Sequence, residues 1–172
     1  MIPPHELALV ALGSNVGDSR NLVLEAMDRL QELSAAALLR SALWQTTPVD
    51  CPPGSAIFVN AVVGLTPLPS ETPESLLSKL QGIERQFGRR PKKVLNEPRP
   101  LDLDLIAFGR EQRRGETLNL PHPRAHQRRF VLQPLTEIVP SLVLPGQHET
   151  VQQLLAHLPE DPNMRRLGAS GE

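Results

Sequence analysis

The chain has 172 residues, 40% of them hydrophobic, with 18 basic and 19 acidic residues and a net charge of −1. That suits one globular unit with a single sizeable core, and no apolar run approaches the roughly 18 residues a membrane span needs. Cys51 is the only cysteine, so an intrachain disulfide is excluded. One Cys and five scattered His offer no zinc-ligand spacing, and a reducing cytoplasm is the expected setting.

Residues 7–12 are a short apolar run ending in GSN, which reads as a buried strand and its turn rather than a signal peptide. Asp18 or Ser19 can cap a helix to about residue 33, with Leu22, Ala26, Leu30 and Leu33 on one stripe. Residues 38–45 form a second candidate strand, followed by the loop TTPVDCPPGSA. Residues 58–65, rich in Val, form a third. Thr72 and Pro73 supply an N-cap and a proline at the first helical position. That helix turns Leu76, Leu77, Leu80, Ile83 and Phe87 inward and stops at Gly88. The basic loop RRPKKVLNEPRP leads into a fourth strand over 101–108, and the C-terminal third reads as helical and irregular.

The last stretch, PEDPNMRRLGASGE, has no apolar periodicity and is expected to fray. The expected division is one domain over 1–158 and a flexible tail over 159–172. The 18 prolines, about twice the usual share of roughly 5%, fall mostly between these elements and stiffen the loops. Strand, helix, strand, strand, helix, strand is the α+β, ferredoxin-like order: an antiparallel sheet with helices packed on one face. Many functions use that fold, so it names none of them.

Two features carry chemistry. The first is charge segregation: residues 85–129 hold twelve of the 18 basic residues and five of the 19 acidic ones, a local balance of +7 against −8 elsewhere. Such a segment suits a polyanion, although a solvated charged loop would look alike. The second is the pair in PRPLDLDLIAFG. Side chains alternate along a strand, so Asp102 and Asp104 share one face while Leu101, Leu103 and Leu105 share the other. An exposed strand face with both charges screened by water is the plain reading. Paired carboxylates are also what Mg²⁺ takes, with substrate phosphates completing its shell. Arg99, Arg89 and Arg90 before the pair, and His122, Arg124, His126, Arg128 and Arg129 after it, fit phosphoryl transfer, where charge neutralisation and positioning do most of the catalysis. The chain has no P-loop motif.

These residues, with ALGSN, TTPV, FVN, QGIERQFGR, PRPLDLDL, LPHPR and RRFVLQPL in that order between about residues 7 and 144, resemble the 6-hydroxymethyl-7,8-dihydropterin pyrophosphokinases of folate biosynthesis. The resemblance implies transfer of pyrophosphate from ATP to the pterin, with AMP leaving and two Mg²⁺ bridging the phosphates. By position it implies Asp102 and Asp104 as the metal ligands and, with Arg89 and Arg99, as the catalytic set. It places Gln81, Glu84, Arg89, Arg99, His122 and Arg128 about the ATP. It places Thr46, Thr47, Val49, Asn60, Phe58 and Phe130 about the pterin, the two Phe rings sandwiching it. Asn60 follows Phe58 by two and shares its strand face, so it can donate to and accept from a pterin edge. Core packing is the plain alternative for either Phe, and a solvated helix face for Gln81 and Glu84, which are three residues apart.

The loop from 89 to 98 departs from the family, which often carries a Trp where Asn96 stands, a Gly at Glu97 and an Arg at Pro91. In the family that loop closes over the substrates, so closure and product release are where a difference is expected. Two other readings compete: a non-catalytic nucleotide-binding relative, supported only by those loop changes, and a nucleic-acid-binding module using the basic segment. The acidic pair within that segment and the scarcity of aromatic residues disfavour the second. The expected partners are therefore small molecules, with neither nucleic acid nor membrane.

Overall fold

The computed structural model describes residues 2–15, 18–46, 57–88 and 100–167. In chain order its elements are β1 (Ala8–Ser14), α1 (Ser19–Gln31), β2 (Leu39–Arg40), β3 (Trp44–Thr46), β4 (Phe58–Leu65), α2 (Pro73–Gln86), β5 (Asp102–Phe108), β6 (Arg113–Arg114), β7 (Asn119–Leu120), α3 (Arg129–Ile138), α4 (Val151–Ala156) and β8 (Met164–Arg166). The main sheet is antiparallel in the order β5-β1-β4-β3-β8, with β2 also on β4, and β6 and β7 pair as a separate hairpin. Up to β5 this is the expected ferredoxin-like arrangement.

Local chemistry accounts for the helices of this frame. The Asp18 carboxylate accepts from the Asn21 N–H and opens α1, which buries Val23, Ala26, Met27 and Leu30. Leu22 and Leu33, expected on that stripe, lie at its partly buried margins. In α2, Thr72 and Ser75 form a reciprocal capping box with Pro73 at the first turn. The helix ends before Gly88, whose φ of +93° suits glycine. Both helices pack on one face of the sheet, over Val10, Leu12, Leu103 and Leu105.

Three features go beyond what the sequence announces. Residues 38–45 are two short strands with a break at Ser41. There the Ser41 hydroxyl takes the Val62 N–H at 2.9 Å, a donor the backbone ladder would otherwise use. Helices are not confined to one face: α3 and α4 cover the opposite one, closing a second apolar cluster over Leu7, Leu9, Val62 and Ile106. Finally, residues 164–166 lie in the stretch expected to fray, yet they form β8 on β3. The Leu167 N–H donates to the Leu43 carbonyl at 2.8 Å, and the Leu167 side chain is buried in the α1/α2 core.

Candidate active site

On the α3 side of the sheet the residue rows change character from one step to the next. Leu9, Val62 and Ile106 are covered by α3. One step along, Ala11 stands opposite Asp104, and then Asp102, Gly13, Asn60 and Trp44 align across β5, β1, β4 and β3. Neighbouring strands are about 4.8 Å apart, so the Asp102 and Asn60 backbones stand roughly 10 Å apart with a glycine between them. The result is a cavity of about 240 Å³ whose lining includes Gly13, Thr46, Phe58, Asn60, Asp102, Asp104, Arg128 and Phe130.

Every one of the expected pterin-side residues that the structure describes lines this hollow. Asn60 is buried, and its Nδ2 donates to the Thr46 hydroxyl at 3.1 Å. Gly13 makes room for it: a methyl group there would lie 3.1 Å from the Asn60 Oδ1. The two Phe rings come from separate elements and remain 37% and 39% exposed. Core residues would be buried, so packing does not explain their presence. The Arg128 guanidinium lies 5.6 Å from the Phe130 ring centroid, a cation–π distance.

The acid pair is presented by β5, with Asp102 half-buried and Asp104 exposed. Their register partners on β1, Gly13 and Ala11, are the smallest residues available, which leaves space above both carboxylates. Just beyond the pair, Leu9 opposes Ala107 while Val10 opposes Leu105, so Ile106 is an extra residue in the ladder. Its carbonyl accepts the His122 N–H at 2.8 Å, which fixes the histidine beside the strand. The Arg124 N–H donates to the His122 Nδ1 at 3.2 Å. This assigns Nδ1 as acceptor and leaves the proton of the neutral ring on Nε2. Burial lowers the His122 pKa, the Asp104 charge opposes that, and Arg128 and Arg124 reinforce it. Among the described residues no cluster of three or more His, Cys, Asp or Glu side chains forms a closed metal cage. Two carboxylates above an open cavity fit an ion that takes the rest of its shell from a ligand.

Gln81 and Glu84 part company. Gln81 is exposed and lines a separate groove of about 420 Å³ between α2 and the β6–β7 hairpin, with Leu77 and Leu118. Glu84 is only 7% exposed and accepts the Leu103 N–H at 2.8 Å, so it grips β5 between the two aspartates rather than sharing a solvated helix face. Thr47, Val49, Arg89 and Arg99, and the departures at Pro91, Asn96 and Glu97, lie outside the described residues. Gly13 and Ala11 were not expected in the site. Only the ALGSN run pointed at them, and its small residues read simply as a strand and turn.

Residues 9–140 match the description of the 7,8-dihydro-6-hydroxymethylpterin-pyrophosphokinase family. The chain belongs to that family. Two bacterial relatives are named 2-amino-4-hydroxy-6-hydroxymethyldihydropteridine pyrophosphokinase. The Pseudomonas aeruginosa protein is 36% identical over 162 residues, covering 93% of this chain and 96% of its own, and the Bacillus subtilis protein is 38% identical over 135 residues, 78% of each. The chain also matches part of longer proteins. It spans 27% of an Arabidopsis thaliana folate synthesis bifunctional protein at 34% identity over 78% of this chain, and 18% of the Pneumocystis carinii folic acid synthesis protein. The fold is shared with a solved HPPK-DHPS chain crystallised with substrates: TM-score 0.72 at 13% identity, over 95% of this chain and 47% of that one.

Proposed function

We propose that this chain transfers pyrophosphate from ATP to 6-hydroxymethyl-7,8-dihydropterin. The hydroxymethyl oxygen bonds to the β-phosphorus, the bond from that phosphorus to the oxygen bridging the α-phosphate breaks, and AMP departs. The observation that carries this reading is one cavity holding an amide, two exposed aromatic rings and a pair of carboxylates. The pterin ring lies between Phe58 and Phe130, its polar edge on Asn60, whose amide the Thr46 hydroxyl orients. That places its hydroxymethyl group over Gly13, facing Asp102 and Asp104. The nucleoside end lies in the α2–hairpin groove against Gln81 and Leu77, and the triphosphate crosses the β5 edge toward His122 and Arg128. Neutral His122 offers its Nε2–H to a phosphate oxygen, and Arg128 offsets the charge that develops there. The family resemblance adds Arg89 and Arg99, which precede β5 in the sequence, to the groups on the triphosphate.

Asp102 and Asp104 would hold Mg²⁺, two ions in this reading, which supply neutralisation of phosphate charge when bound. Glu84 keeps the carboxylates in register by holding the backbone between them. The acidic pair disfavours nucleic acid as a ligand. No helix among the described residues is long and apolar enough to cross a membrane, and the lone cysteine suits a cytoplasmic site.

Phosphorus NMR of the chain with ATP, Mg²⁺ and the pterin tests this. AMP forming only when the pterin is present is the expected result. ADP would mean that one phosphoryl group moves and would refute the mechanism. ATP binding without turnover would favour a non-catalytic relative.

A further inference from the structure

A second hollow lies on the other side of the sheet, where α1 passes the β2–β3 connection and β8. Its volume is about 310 Å³, at the small end of the roughly 300–1,000 Å³ typical of ligand pockets. The floor is aliphatic: Met27, Leu43 and Leu167 are each less than a tenth exposed, and Leu24 stands at the mouth. Three arginines contribute to the lining, and two are already answered. Arg40 Nη1 lies 3.3 Å from Asp28 Oδ1, and Arg166 Nε lies 3.1 Å from Glu137 Oε2. Arg20 differs. It forms no hydrogen bond or ion pair among the described residues; its Nε is enclosed, and its two Nη groups are the accessible donors with no acceptor. An unanswered, half-buried guanidinium beside an aliphatic floor is a ready partner for an anion that enters the hollow.

We propose that this hollow binds a small aliphatic monocarboxylate, its acid group on Arg20 and its alkyl chain on Met27, Leu43 and Leu167. The charge balance selects the monoanion. Asp28 and Glu137 offset the other two guanidinium groups, leaving one positive charge at the rim, and a phosphate dianion would lack a second free cation. A planar guanidinium fork also matches a carboxylate in both shape and hydrogen-bonding pattern. Among the described residues the lining contains no aromatic ring, which favours a flexible alkyl body over a flat one. The site shares no lining residue with the carboxylate cavity and does not depend on the reaction proposed above.

Hexanoate is a suitable probe, titrated into the isotope-labelled full chain and followed by amide chemical shifts, with hexanol as the neutral control. Saturable shifts at Leu24, Ala42, Leu43 and Leu167, with Gly13 and Asp104 unmoved, are expected. Arg20→Gln should weaken binding at least about tenfold, the usual loss when a charge-assisted hydrogen bond is removed. Arg20→Lys, which keeps the charge, should weaken it less. Should Arg20→Gln fail to fold, Leu24→Glu at the solvent-facing mouth tests the same point by repelling the carboxylate. No saturable shift in the hollow, hexanol binding as tightly as hexanoate, or undiminished binding in Arg20→Gln or Leu24→Glu would each overturn the proposal.

Discussion

Gly13→Ala separates the stability of the sheet from the quality of the site. Gly13 lies inside β1 without a positive φ, so alanine can adopt its backbone conformation. Replacing a mid-strand glycine by alanine stabilises by about 0.5–1 kcal/mol through lost freedom of the unfolded chain. The new methyl, however, would lie 3.1 Å from the Asn60 Oδ1, a few tenths of an ångström too close. Asn60 must yield, and its 3.1 Å bond to Thr46 then stretches toward about 3.5 Å, where little of it remains. On the proposed placement of the pterin, losing that bond and the one Asn60 would make to the ring, at about 1 kcal/mol each, should lower pterin affinity roughly 5- to 30-fold. Global stability should stay within about 1 kcal/mol of wild type. Calorimetric titration with the pterin and urea denaturation measure the two separately. Gly64→Ala is the control: on β4, the nearest atoms to its new methyl belong to Leu7 and Leu39 at ordinary contact distances, so affinity should hold. A stable Gly13→Ala protein that binds the pterin within about twofold of wild type would refute the placement of Asn60 as the polar contact.

Asp102→Asn and Asp104→Asn should each cut AMP formation by at least about a hundredfold, the scale seen when a charge-stabilising group is lost. Their melting temperatures should barely move, and chelation should abolish turnover until Mg²⁺ is restored; full activity after chelation would remove the metal from the reading. Phe58→Ala and Phe130→Ala each sacrifice a ring already over a third exposed, so pterin affinity should drop about tenfold while the fold persists, as titration and circular dichroism would record. Glu84→Ala leaves the Leu103 N–H buried without its acceptor and should destabilise by about 1–3 kcal/mol, whereas Glu84→Gln, which can still accept, should cost less; urea titration distinguishes them. Glu137 accepts from the Ala42 N–H, Trp44 Nε1 and Arg166 Nε, joining α3 to β3 and β8. Glu137→Ala should accelerate amide exchange in the β3–β8 pairs and leave β1–β4 protected; uniform acceleration would deny it that local role.

Where a decision rests on a few neighbours in the chain, it could be read in advance. Thr72, Pro73 and Gly88 delimit α2 because capping, a fixed φ and a positive φ are properties of those residues themselves. The alternation that puts Asp102 and Asp104 on one strand face is equally local. The order of elements up to β5 followed from the same short-range signals. What depended on partners distant in the chain could not be read. The hydrophobic period of residues 38–45 is continuous, but the Ser41 hydroxyl competes with the backbone only because Val62 arrives beside it. Residues 164–167 carry too few apolar side chains to announce a strand, and Leu167 finds its place only once α1 and β3 have framed it. Gln81 and Glu84 look equivalent at a spacing of three, yet β5 crosses one and not the other, so one is a solvated groove residue and the other a buried acceptor. The cavity is the extreme case. Asp102, Gly13 and Asn60 come from three separate stretches of sequence. Strand pairing alone sets them in one row, and where the cover of α3 ends decides that this row stays open to a ligand.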